Sequence, residues 1–106
     1  MPKYLVKASY TSAGAAGLLK EGGSSRRAAV EQMITGMGGS LEAFYYAFGD
    51  DDVIAIVEAP DDASAAGLSL AVGAAGAVDI SLTVLIDPAT IDDAAKKGAD
   101  YRPPGA

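Results

Sequence analysis

The sequence predicts an α+β fold of order βαββαβ, with one antiparallel four-stranded sheet and an extra C-terminal helix and tail. Three observations lead there. Leu41 to Phe48 and Val53 to Ala59 are rich in aromatic and β-branched residues and are joined by the acidic turn Gly49-Asp50-Asp51-Asp52, a hairpin signal. Lys3 to Tyr10 and Val78 to Ile86 alternate with period two and read as the first and last strands. Helical periodicity fills the two intervals that remain. Residues 1–87 form one domain on this reading, and residues 88–106 form a C-terminal helix followed by an extended tail.

Each element has its own local warrant. In the first strand Tyr4, Val6 and Ala8 face one way and Leu5, Lys7 and Ser9 the other. Thr11 or Ser12 caps a short helical turn through Leu18 and Leu19, which Gly22-Gly23 ends. Ser24 or Ser25 caps a longer helix whose Val30, Met33, Ile34 and Met37 fall on one stripe, and Gly38-Gly39 stops it. After the hairpin, Pro60 ends the third strand and Asp61 caps a helix with Leu68, Ala71, Val72 and Ala75 as its buried stripe. That helix is otherwise Ala, Gly and Ser, which predicts close packing on whatever it covers. In the last strand Val78, Ile80, Leu82, Val84 and Ile86 alternate against Asp79, Ser81, Thr83 and Leu85. Asp87-Pro88 starts a short helix to Lys97, with Asp92–Lys96 and Asp93–Lys97 in favourable i, i+4 order. This order of elements is the ferredoxin-like split βαβ arrangement.

The chain of 106 residues supports one modest core, because much of its apolar content is Ala and it carries 13 glycines. Val53 to Val57 are apolar at five consecutive positions, so this strand is covered on both faces. Its own helices cover one face, and a second subunit is expected on the other. A net charge of −6 argues against nucleic-acid and anionic-membrane partners. The chain has no cysteine and no histidine, which removes thiol chemistry, the commonest metal ligand and the commonest general base. No cofactor is expected. No apolar run is long enough for a membrane span and the first residues lack a leader pattern, so a cytoplasmic protein is expected.

The segment AFYYAFGDDDVIAIVEAPDDASAA, from Ala43 to Ala66, resembles the GYD-domain family of small bacterial proteins. YLVKASYTSAG near the start and the tail DYRPPGA are also similar to members of that family. Gly49 and Asp52 match its naming motif, but Asp51 stands where the family has tyrosine. The resemblance implies a dimeric α+β barrel, in which two ferredoxin-like sheets pack face to face. That superfamily includes cofactor-free monooxygenases, lactone isomerases and haem-handling proteins, an analogy of fold alone.

Several groups of residues are candidates for chemistry. Asp50-Asp51-Asp52 with Glu58 lacks the spacing of a cation loop and reads as a solvated turn, with no metal expected. Gly22-Gly23-Ser24-Ser25-Arg26-Arg27 at a helix start offers N–H groups and charge to an anion, but without the flanking signature of a phosphate loop. Lys7 and Glu58 are charges in otherwise apolar strands and are expected to pair, as a structural ion pair or as ligand-orienting groups. Placing Phe48 opposite Val53 keeps Glu42 away from Glu58 and puts Leu41, Ala43, Tyr45, Ile54, Ile56 and Glu58 on the partner side. The predicted ligand site is therefore a floor of Ile54 and Ile56 with Lys7, Tyr45, Glu58 and Thr83 as polar groups. The function classes consistent with it are a small-ligand binder, a cofactor-independent enzyme using a Glu/Tyr acid–base pair, and a structural or regulatory module. The C-terminal segment from Pro88 onward is expected to reach over a neighbouring subunit.

Overall fold

The computed structural model of the protein describes all 106 residues. The elements run β1 (Lys3–Tyr10), α1 (Ser12–Glu21), α2 (Gly23–Gly36), β2 (Ser40–Tyr46), β3 (Val53–Glu58), α3 (Asp62–Ala75), β4 (Val78–Leu85) and α4 (Pro88–Lys97). The sheet order is β2-β3-β1-β4 and every neighbouring pair is antiparallel. This is the predicted α+β, ferredoxin-like architecture with an added C-terminal helix.

The core lies between one sheet face and the helices. Tyr4, Val6 and Ala8 of β1 and Val53, Ala55 and Val57 of β3 are buried there, against Ile34 of α2 and Ala65 and Leu68 of α3. The alternate residues of β3, Ile54 and Ile56, are half-buried on the opposite, open face. Both faces of β3 are apolar, as its composition predicts, but only one is covered within the chain. Two glycines allow close backbone approach. A Cβ on Gly14 would lie 1.9 Å from the Ala77 carbonyl oxygen, where α1 meets the start of β4. A Cβ on Gly39 would lie 2.3 Å from the Glu58 carbonyl oxygen, where the exit of α2 crosses the end of β3.

Local capping follows the sequence in three helices. Asp61 accepts from the Ser64 amide at 2.7 Å, Asp87 from the Thr90 amide at 2.9 Å and Thr11 from the Gly14 amide at 3.2 Å. Neither Ser24 nor Ser25 caps α2. That helix begins at Gly23, and Gly22, at φ 92°, ends α1 and opens α2 with no side-chain cap. The short helical turn expected from Thr11 to Gly22 is a helix of 10 residues, α1, capped by Thr11 and ended at Gly22. In α3 the buried stripe is Ala65 and Leu68 with Val72 partly covered, while Ala71 and Ala75 are exposed.

The hairpin register differs from the expected one. Tyr46, not Phe48, stands opposite Val53, and β2 ends at Tyr46. The loop is longer than a tight turn because β1 uses its last residue. Asp52 donates its N–H to Ala8 O and accepts the Tyr10 N–H on its carboxylate, both at 2.8 Å. Ala47 N–H to Asp52 O, at 2.8 Å, closes the loop, and Phe48 is left fully exposed. At the other end of β2 the pairing shifts between Leu41 and Ala43, a bulge at Glu42. The bulge puts Leu41 against the core rather than on the open side. Tyr45 stays on the open face and Phe44 under the helices, because a two-residue shift preserves the alternation.

Candidate functional site

The open face is organised in rungs across the four strands. Tyr45, Ile54, Lys7 and Ser81 form one rung, and Ala43, Ile56, Leu5 and Thr83 form the next. Glu58 follows opposite Lys3. The six residues assigned to a ligand site from the sequence thus share this face, on three consecutive rungs. The principal cavities lie elsewhere and none opens at its centre.

Lys7 is not the cation that meets Glu58. Lys3 is, at 3.7 Å, and it also contacts Glu42 at 3.0 Å. The β1/β3 register puts Lys7 opposite Ile54, two rungs away. The Lys3 ammonium is held above its ordinary pKa, first by its hydrogen bond to Glu42 and then by that charge, with Glu58 adding to it. This cation also explains the register. Reasoning from the β2/β3 pair alone keeps Glu42 and Glu58 apart, whereas Lys3 of β1 lets both carboxylates gather at one end of the sheet.

The cavity in the chain is on the other face. α2 and α3 both lie over the sheet but hardly touch each other. Between them runs a trough with Val6, Ala8, Val53 and Ala55 as its floor, Val30 and Met33 on one wall, and Leu68 and Val72 on the other. It encloses about 100 Å³ and its lining is apolar apart from Arg26. Toward α1 it widens into a cleft of about 390 Å³ bounded by Gly14, Gly17, Ala71 and Ala75, and the two share Tyr10, Arg26, Met33, Val72 and Val78. The small residues of α3, expected to bring that helix close to its neighbours, instead leave space unfilled. A side chain reaching past Ala71 or Ala75 would narrow the cleft.

Polar groups gather at the junction of trough and cleft. Arg26 Nη1 lies 3.6 Å from Glu21 Oε2. Tyr46 donates its hydroxyl to Gly23 O at 2.9 Å and packs edge-on against Phe44, with ring centroids 5.2 Å apart. The Tyr10 phenol is pushed upward chiefly by burial, then by Tyr46, with Arg26 opposing and Asp52 adding to the rise. Tyr10 is therefore a neutral donor at physiological pH, and this junction offers a guanidinium and one phenol to an accepting or anionic group. Deeper in the fold Tyr4 donates to Asp62, and this bond, with burial, pushes its phenol up to about 12. Tyr4 fastens α3 to β1.

The remaining sequence candidates are used structurally. Asp52 is bonded to Tyr10 N–H, and no three acidic groups converge as a metal site would require. Arg26 and Arg27, at the start of α2, face Glu21 and Glu31, the latter at 3.4 Å. The expected Asp92–Lys96 and Asp93–Lys97 pairs do not close within ion-pair distance. Tyr10 and Met33 are groove residues that the sequence reading did not single out for function, and Arg26 entered it only within the candidate anion site at the start of α2. Met33 carried a signal, as part of the α2 stripe, but it is exposed enough to line the trough rather than fill the core.

The fold and these two surfaces define a small α+β protein with one open sheet face and an apolar groove beneath its helices. The GYD domain model matches residues 4–95, and the chain belongs to the GYD domain family. The match runs into α4, so that helix is part of the family pattern. No curated protein and no solved structure matches the chain. No helix is long and apolar enough to cross a membrane.

Proposed function

We propose that this GYD-domain protein is a homodimeric binding protein for a small, largely apolar molecule with an acidic head group, held in the groove between α2, α3 and the sheet. The groove carries this reading. Its trough and cleft together have the size and apolar lining of a ligand site, with a few convergent polar groups at one point. The head group would take Arg26 and the Tyr10 hydroxyl, in competition with Glu21 for the guanidinium. The apolar body would lie along the trough toward Leu68. Tyr10, as a neutral phenol, serves as donor rather than as base.

The dimer is supported by the open face. Leu5, Ile54 and Ile56 lie at its centre and Tyr45 beside them is 70% exposed. A second sheet packed on it would cover these residues and leave the helix-side grooves accessible at the two outer surfaces. The same closure would enclose Lys7, Tyr45, Ile54, Ile56, Glu58 and Thr83. That makes the inter-sheet space the second place for a small ligand, a reading favoured by Tyr45, Ile54 and Lys7 standing on one rung.

Titration calorimetry with decanoic acid, naphthoic acid and decanol tests the groove. The acids are expected to bind and the alcohol to bind more weakly. Arg26→Gln is expected to cost the acids about tenfold, the scale of one charge-assisted hydrogen bond, and Val72→Trp to abolish binding of all three by filling the trough. Equal affinity for acid and alcohol, or acid binding unaffected by Val72→Trp, would place the ligand elsewhere.

A further inference from the structure

We propose that α4 and the tail after it form a clasp that docks on the second copy of this chain. The inference rests on the dimer reading above and adds the segment that completes the interface.

α4 is well made and yet buries none of its residues. Asp87 caps it, Pro88 occupies its first turn, and Lys96 and Lys97 sit in its last turn, where cations suit the helix dipole. One side carries Ile91, Ala94 and Ala95, and the other Asp92, Asp93, Lys96 and Lys97. All of its residues are exposed. Helices shorter than about 12 residues are marginal in water without a packing surface. The molecule has a radius of gyration of 17.0 Å, against about 13 Å for a compact chain of this length, and its long axis is 57 Å. The C-terminal segment therefore extends from the body rather than folding onto it.

Two arguments make the second copy the occupant. The first is continuity. α4 starts three residues after Leu85, which stands on the rung of Lys3 at the rim of the open face, and Ile86 between them is also exposed. One partner laid on the open face meets α4 at the same time. The second is area. Four strands about 4.8 Å apart and about 23 Å long present roughly 450 Å². A stable interface takes about 800 Å² from each partner. One side of a helix about 15 Å long adds roughly 150 Å², and Tyr101, exposed in the tail, extends the surface further. By two-fold symmetry each copy both gives and receives a clasp.

Sedimentation of the full chain and of Ile91→Asp, together with hydrogen exchange above and below the dimer's dissociation concentration, tests the proposal. The wild type is expected to dimerise, with α4 amides protected only in the dimer. Ile91→Asp is expected to raise the dissociation constant about tenfold or more, the effect of exposing one large aliphatic side chain. Its monomer should melt close to the wild-type monomer, since Ile91 is exposed in its own chain. A dimer unmoved by Ile91→Asp, or α4 amides unprotected in the dimer or protected in the monomer, overturns the clasp and leaves the dimer standing. A wild-type chain that stays monomeric at every concentration removes both.

Discussion

Gly14→Ala and Gly17→Ala are the same substitution on neighbouring turns of α1, and the structure gives them opposite signs. On helix propensity alone each gains about 1 kcal/mol. At Gly17 the added methyl meets nothing within 4 Å, so that gain should stand. At Gly14 the methyl would lie 1.9 Å from Ala77 O and 2.9 Å from Tyr10 Cδ1. Ordinary contact distances require α1 to withdraw by more than about 1 Å. The withdrawal stretches two hydrogen bonds that join the N-cap of α1 to the turn between α3 and β4, Thr11 N–H to Ala77 O at 3.0 Å and Thr11 Oγ1 to Gly76 O at 2.8 Å. Overpacking costs about 1–3 kcal/mol and each weakened hydrogen bond about 1 kcal/mol. After the propensity gain is subtracted, Gly14→Ala should destabilise by roughly 2–4 kcal/mol. For a domain of this size that is a melting temperature lower by about 8–18 °C, against a rise of about 4–5 °C for Gly17→Ala. Calorimetric or circular-dichroism melts at one fixed protein concentration measure both. Gly14→Ala melting at or above the wild type would show that α1 does not approach β4 as described.

The titratable groups give two further outcomes. Tyr4 is raised from about 10 to about 12, so its bond to Asp62 stabilises the fold below pH 10 and the contribution is lost as pH rises toward 12. Tyr4→Phe should melt lower at neutral pH and close part of the gap to the wild type above pH 10, as followed by alkaline titration of the melt. Asp61 and Asp87 are lowered, first by the Ser64 backbone and the Thr90 side-chain hydrogen bonds respectively, so their caps act above the ordinary carboxylate range and fail as pH falls through it. Asp61→Ala should lower the melting temperature by a few degrees at pH 7, and less at pH 3. Asp87→Ala should leave the melt of the monomer nearly unchanged, because no residue of α4 is buried. Ile56→Lys, at the centre of the open face, should leave a folded monomer by light scattering; a dimer of unchanged affinity would show that the face is not the interface.

Much of the fold was legible because it depends on residues near one another in the chain. The bounds of β1, the caps at Asp61 and Asp87 and the end of α4 at Gly98 all follow from side chains a few positions apart. The face on which Tyr45 lies was legible too, since alternation survives a shift of two residues. The candidate sites were legible in part. The six sequence candidates do share the open face, while the groove under the helices brings Arg26 and Tyr10 together from separate elements, which no local pattern announces.

The sequence by itself determined which segments are strands and helices, that β3 is apolar on both faces, and the GYD resemblance that the family match bears out. Tertiary structure decided the bulge at Glu42, the pairing of Lys3 with two carboxylates, the space between α2 and α3, and the separation of α4 from the body. The physical reason is range. Alternation, capping and turn chemistry are energies between neighbours in the chain and can be summed from a list of residues. Register and cavities are differences between whole packings: Lys3 and Glu42 are 39 positions apart, and the width of the groove depends on how far apart α2 and α3 come to rest on a sheet neither of them encodes.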